Sequence, residues 1–517
     1  MNRPSLRQRL GAALNAFRGD AAPIRPARIP AALARSSAAA AVNRLTADWT
    51  ASITSADTEA RADVVKLRDR ARQLERDDPY AAHYFTLLEN NVLGSEGIKL
   101  QQKLKRPDGS LDTAANKIVE QAWYEWQQRE HCTVTRSLQF RDLERIALIS
   151  TARDGGVLPR LVLGFDNPFG FAIQLLEIDH LDVTNEVPQL KGGGQIRFGI
   201  EFNSWREPIA YHLLHRHPGD IYGPYAGEYR RERVSAQELI HLYHPRRALQ
   251  SIGLPWIASA MLRLKMLNGY EEAELVAARA ASCKAGYIER EFPEGYTGDG
   301  EDAAGNQQEE MEPGVIRELD PGQKFVAHDP NHPTTAYNNF TKGVLRGVAS
   351  GLHVSYNALA NDLEGVNYSS IRAGLLEDRE EYKKIQSWLI CHLHQRIFAA
   401  WVVPAILSGR LALPMTRADE IIAAATWKPR RWPWVDPMKD IQAKIEAINN
   451  RLESRTATVS EQGGDYEELL DEIASEEKLA QEKQVKLPSA QPKKPPGQPP
   501  VEDEPERNGH TRLPAFS

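Results

Sequence analysis

The sequence predicts a helix-dominated α+β protein, and three observations carry that prediction. Apolar residues recur at helical spacing over two long stretches, residues 254–287 and 370–404. Between residues 157 and 214 the pattern changes to short apolar runs, punctuated by Asn167-Pro168 and Gly192-Gly193-Gly194, as strands and their turns require. Residues 289–331 then lose helical periodicity and separate two helices, which leaves room for a small β-rich excursion.

Taken in order, residues 1–41 read as a flexible basic arm. Arg3, Arg7, Arg9, Arg18, Arg25, Arg28 and Arg35 stand against Asp20, and Pro23, Pro26 and Pro30 break any helix. The arm has no continuous apolar stretch of the kind a secretory leader carries. From Asp57, Ala60, Val64, Leu67, Ala71 and Leu74 share a helix face, with Pro79 as its end. A second helix over 80–92 stops at Gly94, and a third over 114–128 carries Trp123 and Trp126, whose expected role is core packing. Strands are expected over 157–163, 171–178, 196–202 and 209–214. The helix over 254–287 is rich in alanine near Ala277, which suits close helix packing within one subunit or around a ring axis.

In 289–331, Asp299, Glu301, Asp302, Glu309, Glu310 and Glu312 form an acidic, Gly-rich patch without Lys or Arg. Such a patch reads first as a solvated loop. The segments 315–319 and 324–328 flank the turn Asp320-Pro321-Gly322. Next comes a helix carrying Tyr337, Phe340, Val344 and Val348, with Gly351 placed to end it. A short turn over 356–361 leads to the polar loop 362–368, and Ser369 or Ser370 is placed to cap the long helix that follows. In that helix Ile371, Leu375, Tyr382, Ile385, Leu389, Leu393 and Ile397 share a face until Pro404. The stretch 427–437 interleaves Trp, Arg and Pro. It has the ingredients of a single-strand nucleic-acid site, but its prolines favour a packed linker. Helices over 439–454 and 466–483 follow, and from Pro488 the Pro- and charge-rich tail is expected to be disordered.

Bulk chemistry excludes several functions. At 517 residues, with 41% hydrophobic and 26% charged residues, the chain holds two or three ordinary cores. Its net charge of −6 lacks the basic excess of a protein that grips phosphate. Its three cysteines are odd in number and far apart, with no metal spacing and no disulfide framework. His212, His215, His217, His241 and His244 cluster in sequence, but no neighbouring carboxylate or cysteine completes a ligand set, so no metal is expected. There is no phosphate-binding G-x-x-x-x-G-K-[ST] loop, no G-x-G-x-x-G, no G-x-S-x-G and no H-E-x-x-H, so neither an enzyme nor a cofactor is expected. The apolar run 397–407 is too short to span a bilayer, so no membrane partner is expected.

The octet Asn367-Tyr368-Ser369-Ser370-Ile371-Arg372-Ala373-Gly374 resembles the NYSSxRAG signature of lambda-type bacteriophage portal proteins. Similar wording recurs at Asn91-Val92-Leu93-Gly94, over 173–179, 207–211 and 238–244, so the resemblance covers roughly residues 42–480. In 246–253, Ser251 stands where that family often has a further Arg. The resemblance implies a flexible arm (1–41), a wing (42–253), a first stem helix (254–288), a clip (289–333) and a second stem helix (334–351). It further implies a tunnel loop with a long wing helix (352–436), crown helices (437–487) and a disordered tail (488–517). The implied assembly is a homo-oligomeric dodecameric ring at one capsid vertex, found in the virion and assembled in the host cytoplasm. Implied partners are double-stranded DNA passing without sequence readout, the terminase, the major capsid protein and the head-tail connector proteins.

The resemblance places Asp362, Leu363, Glu364, Gly365, Val366, Asn367, Tyr368, Ser369 and Arg372 at the channel, and Asp299, Glu301, Asp302, Glu309 and Glu310 at the clip surface that meets the terminase. A channel that passes any sequence in both directions gains nothing from deep phosphate wells, and the acidic and neutral loop fits that demand. Two other classes remain at this point: a capsid or scaffold-like assembly protein without a channel, and a DNA-binding module.

Overall fold

The computed structural model describes residues 53–220, 222, 230–282, 286–290, 300–301, 307–308, 323–327, 336–365, 367–432, 437–461, 464 and 466–484. The expected arm (1–41) and tail (488–517) lie outside them. The chain divides into Met1–Thr58 and Glu59–Ser517. The described part of the first is a short lead-in and the first turn of helix α1.

Helix α1 (Ala56–Asp77) presents the expected stripe: Ala60, Val64, Ala71 and Leu74 are buried. Pro79 does not simply end it. Asp78 caps a new helix, α2 (Pro79–Leu88), whose first residue is that proline, the position where its missing N–H costs nothing. A π-turn, Glu89–Leu93, extends α2 to Gly94. Strand β1 (Lys99–Gln102) and helix α3 (Thr113–Trp126) follow. Helix α4 (Phe140–Asp154) was not expected, although its signal was present: Phe140, Leu143, Ala147, Leu148 and Thr151 repeat at helical spacing and are buried. Gly155, at φ 85°, ends it.

Strands β2 (Val157–Leu163) and β3 (Phe171–Glu177) pair antiparallel along their full length. The second sheet has the order β4 (Gln195–Arg197), β5 (Ile200–Phe202), β6 (Pro208–Leu214), β7 (Arg231–Ser235). The single strand expected over 196–202 is therefore a hairpin. Phe198 and Gly199, at φ 50° and 72°, form its two-residue turn, and positive φ at both positions matches the strand twist.

The helix expected over 254–287 is shorter. A 3₁₀ turn, Trp256–Ser259, precedes α5 (Met261–Ser282), and Tyr287 lies in strand β8 (Gly286–Arg290). Strands β9 (Gly300–Glu301) and β10 (Gln307–Gln308) pair with each other, and β11 (Gln323–Ala327) pairs with β8 over five residues, as the β excursion requires. Segment 315–319 lies outside the described residues. Helix α6 (Ala336–Leu352) runs past Gly351; His353, at φ 57°, makes the turn instead. Helix α7 (Tyr356–Ala360) leads into the loop, and α8 (Tyr368–Leu389), a π-turn (Ile390–His394) and α9 (Gln395–Leu407) then run on without a break. Pro404 sits inside α9 and leaves the Ala400 carbonyl without its helical donor, yet the helix continues. After it come α10 (Ala418–Ala423) and β12 (Ala425–Lys428), which pairs with β1. The last two expected helices prove to be three: α11 (Pro437–Asn449), α12 (Arg455–Glu461) and α13 (Tyr466–Glu482).

The span Ser370–Leu407 is long and apolar enough to cross a bilayer. Here its apolar face is the protein core: Leu389, Leu393, Ile397, Phe398, Trp401, Val402 and Ala405 are buried. Trp123 stacks on Trp126 at 4.7 Å and meets Trp401 at 5.1 Å, Phe398 at 5.3 Å and Phe140 at 5.4 Å, edge to face. Trp126 Nε1 donates to the Phe171 carbonyl at 3.0 Å, so one indole also locks β3. At the π-turn, His394 Nε2 bonds Glu144 of α4, both fully buried, and Glu144 also accepts from the Ile98 amide at 3.3 Å. Gly97, at φ 72°, lies so close that a Cβ would overlap that carboxylate.

Trp401→Ala should therefore cost about 3–5 kcal/mol. Urea unfolding followed by circular dichroism checks this, and a loss below roughly 1 kcal/mol would show that the aromatic cluster relaxes around the gap.

Candidate nucleic-acid interface

Three elements build the loop. Helix α6 supplies Lys342 and Arg346, α7 supplies Tyr356, and the N-terminus of α8 closes it. Asn361, at φ 52°, and Gly365, at φ 68°, turn the chain at either end. Asp362 is the internal anchor. Its Oδ2 accepts from the Tyr356 hydroxyl at 2.7 Å and pairs with Lys342 Nζ at 3.0 Å, while Oδ1 accepts from the Glu364 amide at 2.9 Å. Lys342 also pairs with Glu364 Oε2 at 3.0 Å. These bonds, the Tyr356 hydroxyl first, pull the Asp362 carboxyl down to about 2. The two carboxylates push the Lys342 ammonium above its ordinary value.

The expected site residues thus divide. Asp362 has an 18% exposed side chain and faces inward, whereas Glu364 is 77% exposed. Leu363, Gly365 and Asn367 are exposed, Leu363 at 68%. Neither Ser369 nor Ser370 caps α8: Asn367 Oδ1 does, accepting from the Ser370 amide at 2.8 Å. Arg372 points away from the loop tip to Asp440 of α11, at 3.0 Å. Val366 and the side chains of Tyr368 and Ser369 lie outside the description. Below the loop, Asp378 of α8 accepts from Ser355 N at 2.9 Å and Oγ at 2.6 Å, tying α8 to the start of α7. Lys342 and Tyr356 were missed by the sequence reading. The signal available was Lys342 and Arg346 one turn apart on α6, opposite an acidic loop.

Of the acidic patch, Glu301 lies on β9 opposite Gln307, and Asp299, Asp302, Glu309 and Glu310 lie outside the described residues. The histidine cluster needs one correction. Carboxylates do approach it: Glu177 Oε2 lies 3.3 Å and Asp179 Oδ2 3.8 Å from His217 Nε2. The two carboxylates already hold Arg72, and Asp179 also holds Arg68 at 2.9 Å. Burial would raise the Asp179 carboxyl, but the two guanidiniums bring it below its ordinary value. The group is an ion-pair network fixing α1 to the body, not an open ligand set. Ser251 Oγ accepts from Arg206 Nη2 at 2.9 Å.

The aromatic and basic stretch after β12 is packed. Asn91 Oδ1 accepts from Arg430 at 3.1 Å and Trp432 Nε1 at 3.0 Å, and the Arg430 carbonyl accepts from Gln386 at 3.0 Å. Helix α5 behaves differently. Leu262, Met266 and Val276 share one face at 3.6 residues per turn and are 62–72% exposed. Gly269 lies on that face with open space around it.

The family described as "Phage portal protein, lambda family" matches residues 42–386. The chain is 34% identical over 468 residues to the probable portal protein of Halomonas phage phiHAP-1, covering 89% of this chain and 90% of that one. It is 22% identical over 454 residues to portal protein B of Escherichia phage lambda, covering 81% of this chain and 85% of that protein. Among solved structures it is similar to a chain from the neck of a native gene transfer agent particle. The TM-score is 0.40 and the identity 13%, over 75% of this chain and 91% of that one, a superposition too loose to carry over any contact.

The Asp362 contacts have a defined pH window. A carboxyl lowered in the folded state contributes its full stabilisation above the ordinary value of 3.8 and loses it as pH falls through about 2. Lys342→Met should raise that carboxyl and speed hydrogen exchange at the Glu364 amide near neutral pH. Unchanged exchange in this variant would show that Lys342 does not hold the loop.

Proposed function

Since the chain belongs to the lambda family of phage portal proteins, we propose that its copies form a dodecameric ring at one capsid vertex, with the loop 362–369 facing the DNA that passes through. In this reading α5 and α6 are the stem, 289–333 the clip that docks the terminase and later the connector proteins, and 437–487 the crown. The wing meets the major capsid protein, and the ring resides in the virion.

One observation carries the channel reading: the loop's two carboxylates share one lysine of their own subunit, so the loop keeps a single net negative charge. Lys342 pairs with both Asp362 and Glu364, and the tip exposes Leu363 and Gly365. A lining of this kind neither attracts phosphate into a deep well nor presents a dense negative wall. DNA of any sequence then slides past with weak contacts, because affinity for DNA grows with each phosphate neutralised. The ring reading is supported by the unpartnered face of α5. An exposed apolar stripe with a glycine in its middle suits close approach of a second copy.

Glu364→Lys keeps the Asp362 anchor and adds two positive charge units per copy. Packaged DNA per particle should fall at low salt and recover as ionic strength rises, because added salt weakens phosphate contacts. Leu363→Ala should give a defect, if any, that salt does not change. Normal packaging by Glu364→Lys at low salt would show that the loop does not face DNA.

Gly269→Trp should block ring formation without loss of helix content, since glycine is the poorer helix former. Mass photometry reads the outcome. Rings of normal mass would remove this face from the copy-copy contact.

A further inference from the structure

Strand β2 is paired with β3 along its whole length, but its other edge is covered only in part. Gly164 donates to the Gly170 carbonyl at 2.8 Å, which sets the ladder: even-numbered residues of β2 bond β3, and odd-numbered ones turn their N–H and C=O groups to the opposite edge. Segment 238–242 takes up that edge at first. Ile240 N donates to the Pro159 carbonyl at 2.9 Å, and Leu161 N donates to the Glu238 carbonyl at 2.8 Å. There the segment leaves, because Glu238 N turns back to the Ser235 carbonyl at 3.0 Å. Among the described residues, the Leu161 carbonyl and the Leu163 N–H and carbonyl are left without a backbone partner. An open edge of this kind is a template for another strand.

A cavity lies on each face of the edge. On the α9 side, Leu161, Leu163, Ala399, Ala400, Val403 and Leu407 wall about 630 Å³. Leu163, Val403 and Leu407 are exposed there, and Pro404 leaves the Ala400 carbonyl of the same wall without its helical donor. On the other face, Arg160, Val162, Phe165, Gln174 and Glu238 wall about 540 Å³. Side chains of a strand alternate between faces, so an added strand sends successive residues into the two cavities. The first cavity selects apolar residues. The second selects a cation: Glu232 holds Arg160 through two bonds, at 2.7 and 3.1 Å, while Glu238 is half exposed and stands 3.9 Å from the same guanidinium. A second copy offering its own β2 edge would add another Glu238 to this acidic rim, like charge against like.

We propose that the open edge of β2 at Leu161–Leu163 binds an extended segment of another protein, in which apolar residues facing α9 alternate with basic residues facing Glu238. The inference does not rest on the ring or channel reading.

The test titrates the full-length protein into a fluorescein-labelled Val-Lys-Val-Lys-Val peptide and follows anisotropy. Saturable binding is expected, with half-saturation below about 1 mM. Methylating the peptide's central amide nitrogens keeps its side chains and removes its main-chain donors, and should weaken binding about three- to ten-fold. Leu163→Pro removes the edge donor at a position where no bond within the protein is lost, and should weaken binding with the melting temperature unchanged. Glu238→Lys should reverse the preference in favour of Val-Glu-Val-Glu-Val. No saturable binding, or equal binding of the methylated peptide, would overturn the proposal, and the second result decides even where Leu163→Pro fails to fold. Self-association that Leu163→Pro abolishes, with no peptide binding, would assign the edge to a second copy and overturn it as well.

Discussion

The contact on which the rest of the structure depends is the one between α4 and the long helix at its π-turn. His394 and Glu144 bond to each other with no access to water, with the Phe140 and Trp427 rings against the imidazole. An isolated buried pair of this kind returns little net stability. Its value here is register. The extra residue of the π-turn rotates α9 relative to α8, so that His394 meets Glu144 while the Phe398 and Trp401 rings downstream reach Trp123. A shift of one residue along the helix would part His394 Nε2 from Glu144 and leave that carboxyl only the Ile98 amide in an apolar core, at a cost of several kcal/mol, so the alignment is sharply specified.

That register is transmitted along the helix to the loop. The same helix that is buried from Leu389 onward begins at Tyr368, and there it becomes exposed and polar. Gln386 holds the middle by donating to the Val92 and Arg430 carbonyls, both at 3.0 Å. Asp378 holds the next turns by accepting twice from Ser355. The helix is thus a rigid lever between a dry core and a wet tip. The tip is positioned by Asp362, not by packing, which suits an element that must meet another molecule without burying much surface against it.

The charges obey one rule at three depths. In the body, Arg68, Arg72 and Arg153 are each matched by Asp154, Asp179 or Glu75. At the loop, one lysine serves two carboxylates. At the far end, Lys444 of α11 serves Glu453 and Glu461. Local pairing leaves a single net negative charge at each of the last two places, and salt screens it over roughly 8 Å at physiological ionic strength.

The sequence by itself determined the class of fold and the order and type of many elements. Periodicity is local, and Ala60, Val64, Ala71 and Leu74 announce α1 without help from the rest of the chain. Even α4 was legible in the spacing of Phe140, Leu143 and Ala147. The places where local reading fails are those where a distant partner decides. Pro404 does not stop α9, because the buried faces of Trp401, Val402 and Ala405 outweigh one missing backbone bond. Phe198 accepts a positive φ because its ring is fully buried. The candidate site follows the same division. The loop and its acidic character stand in the chain from Asp362 to Asn367, but Asp362 turns inward and Glu364 outward only because Lys342 and Tyr356 arrive from other helices. A hydrogen bond or ion pair across helices depends on distance in space, which sequence spacing does not encode, so the direction of each side chain was left to the tertiary structure.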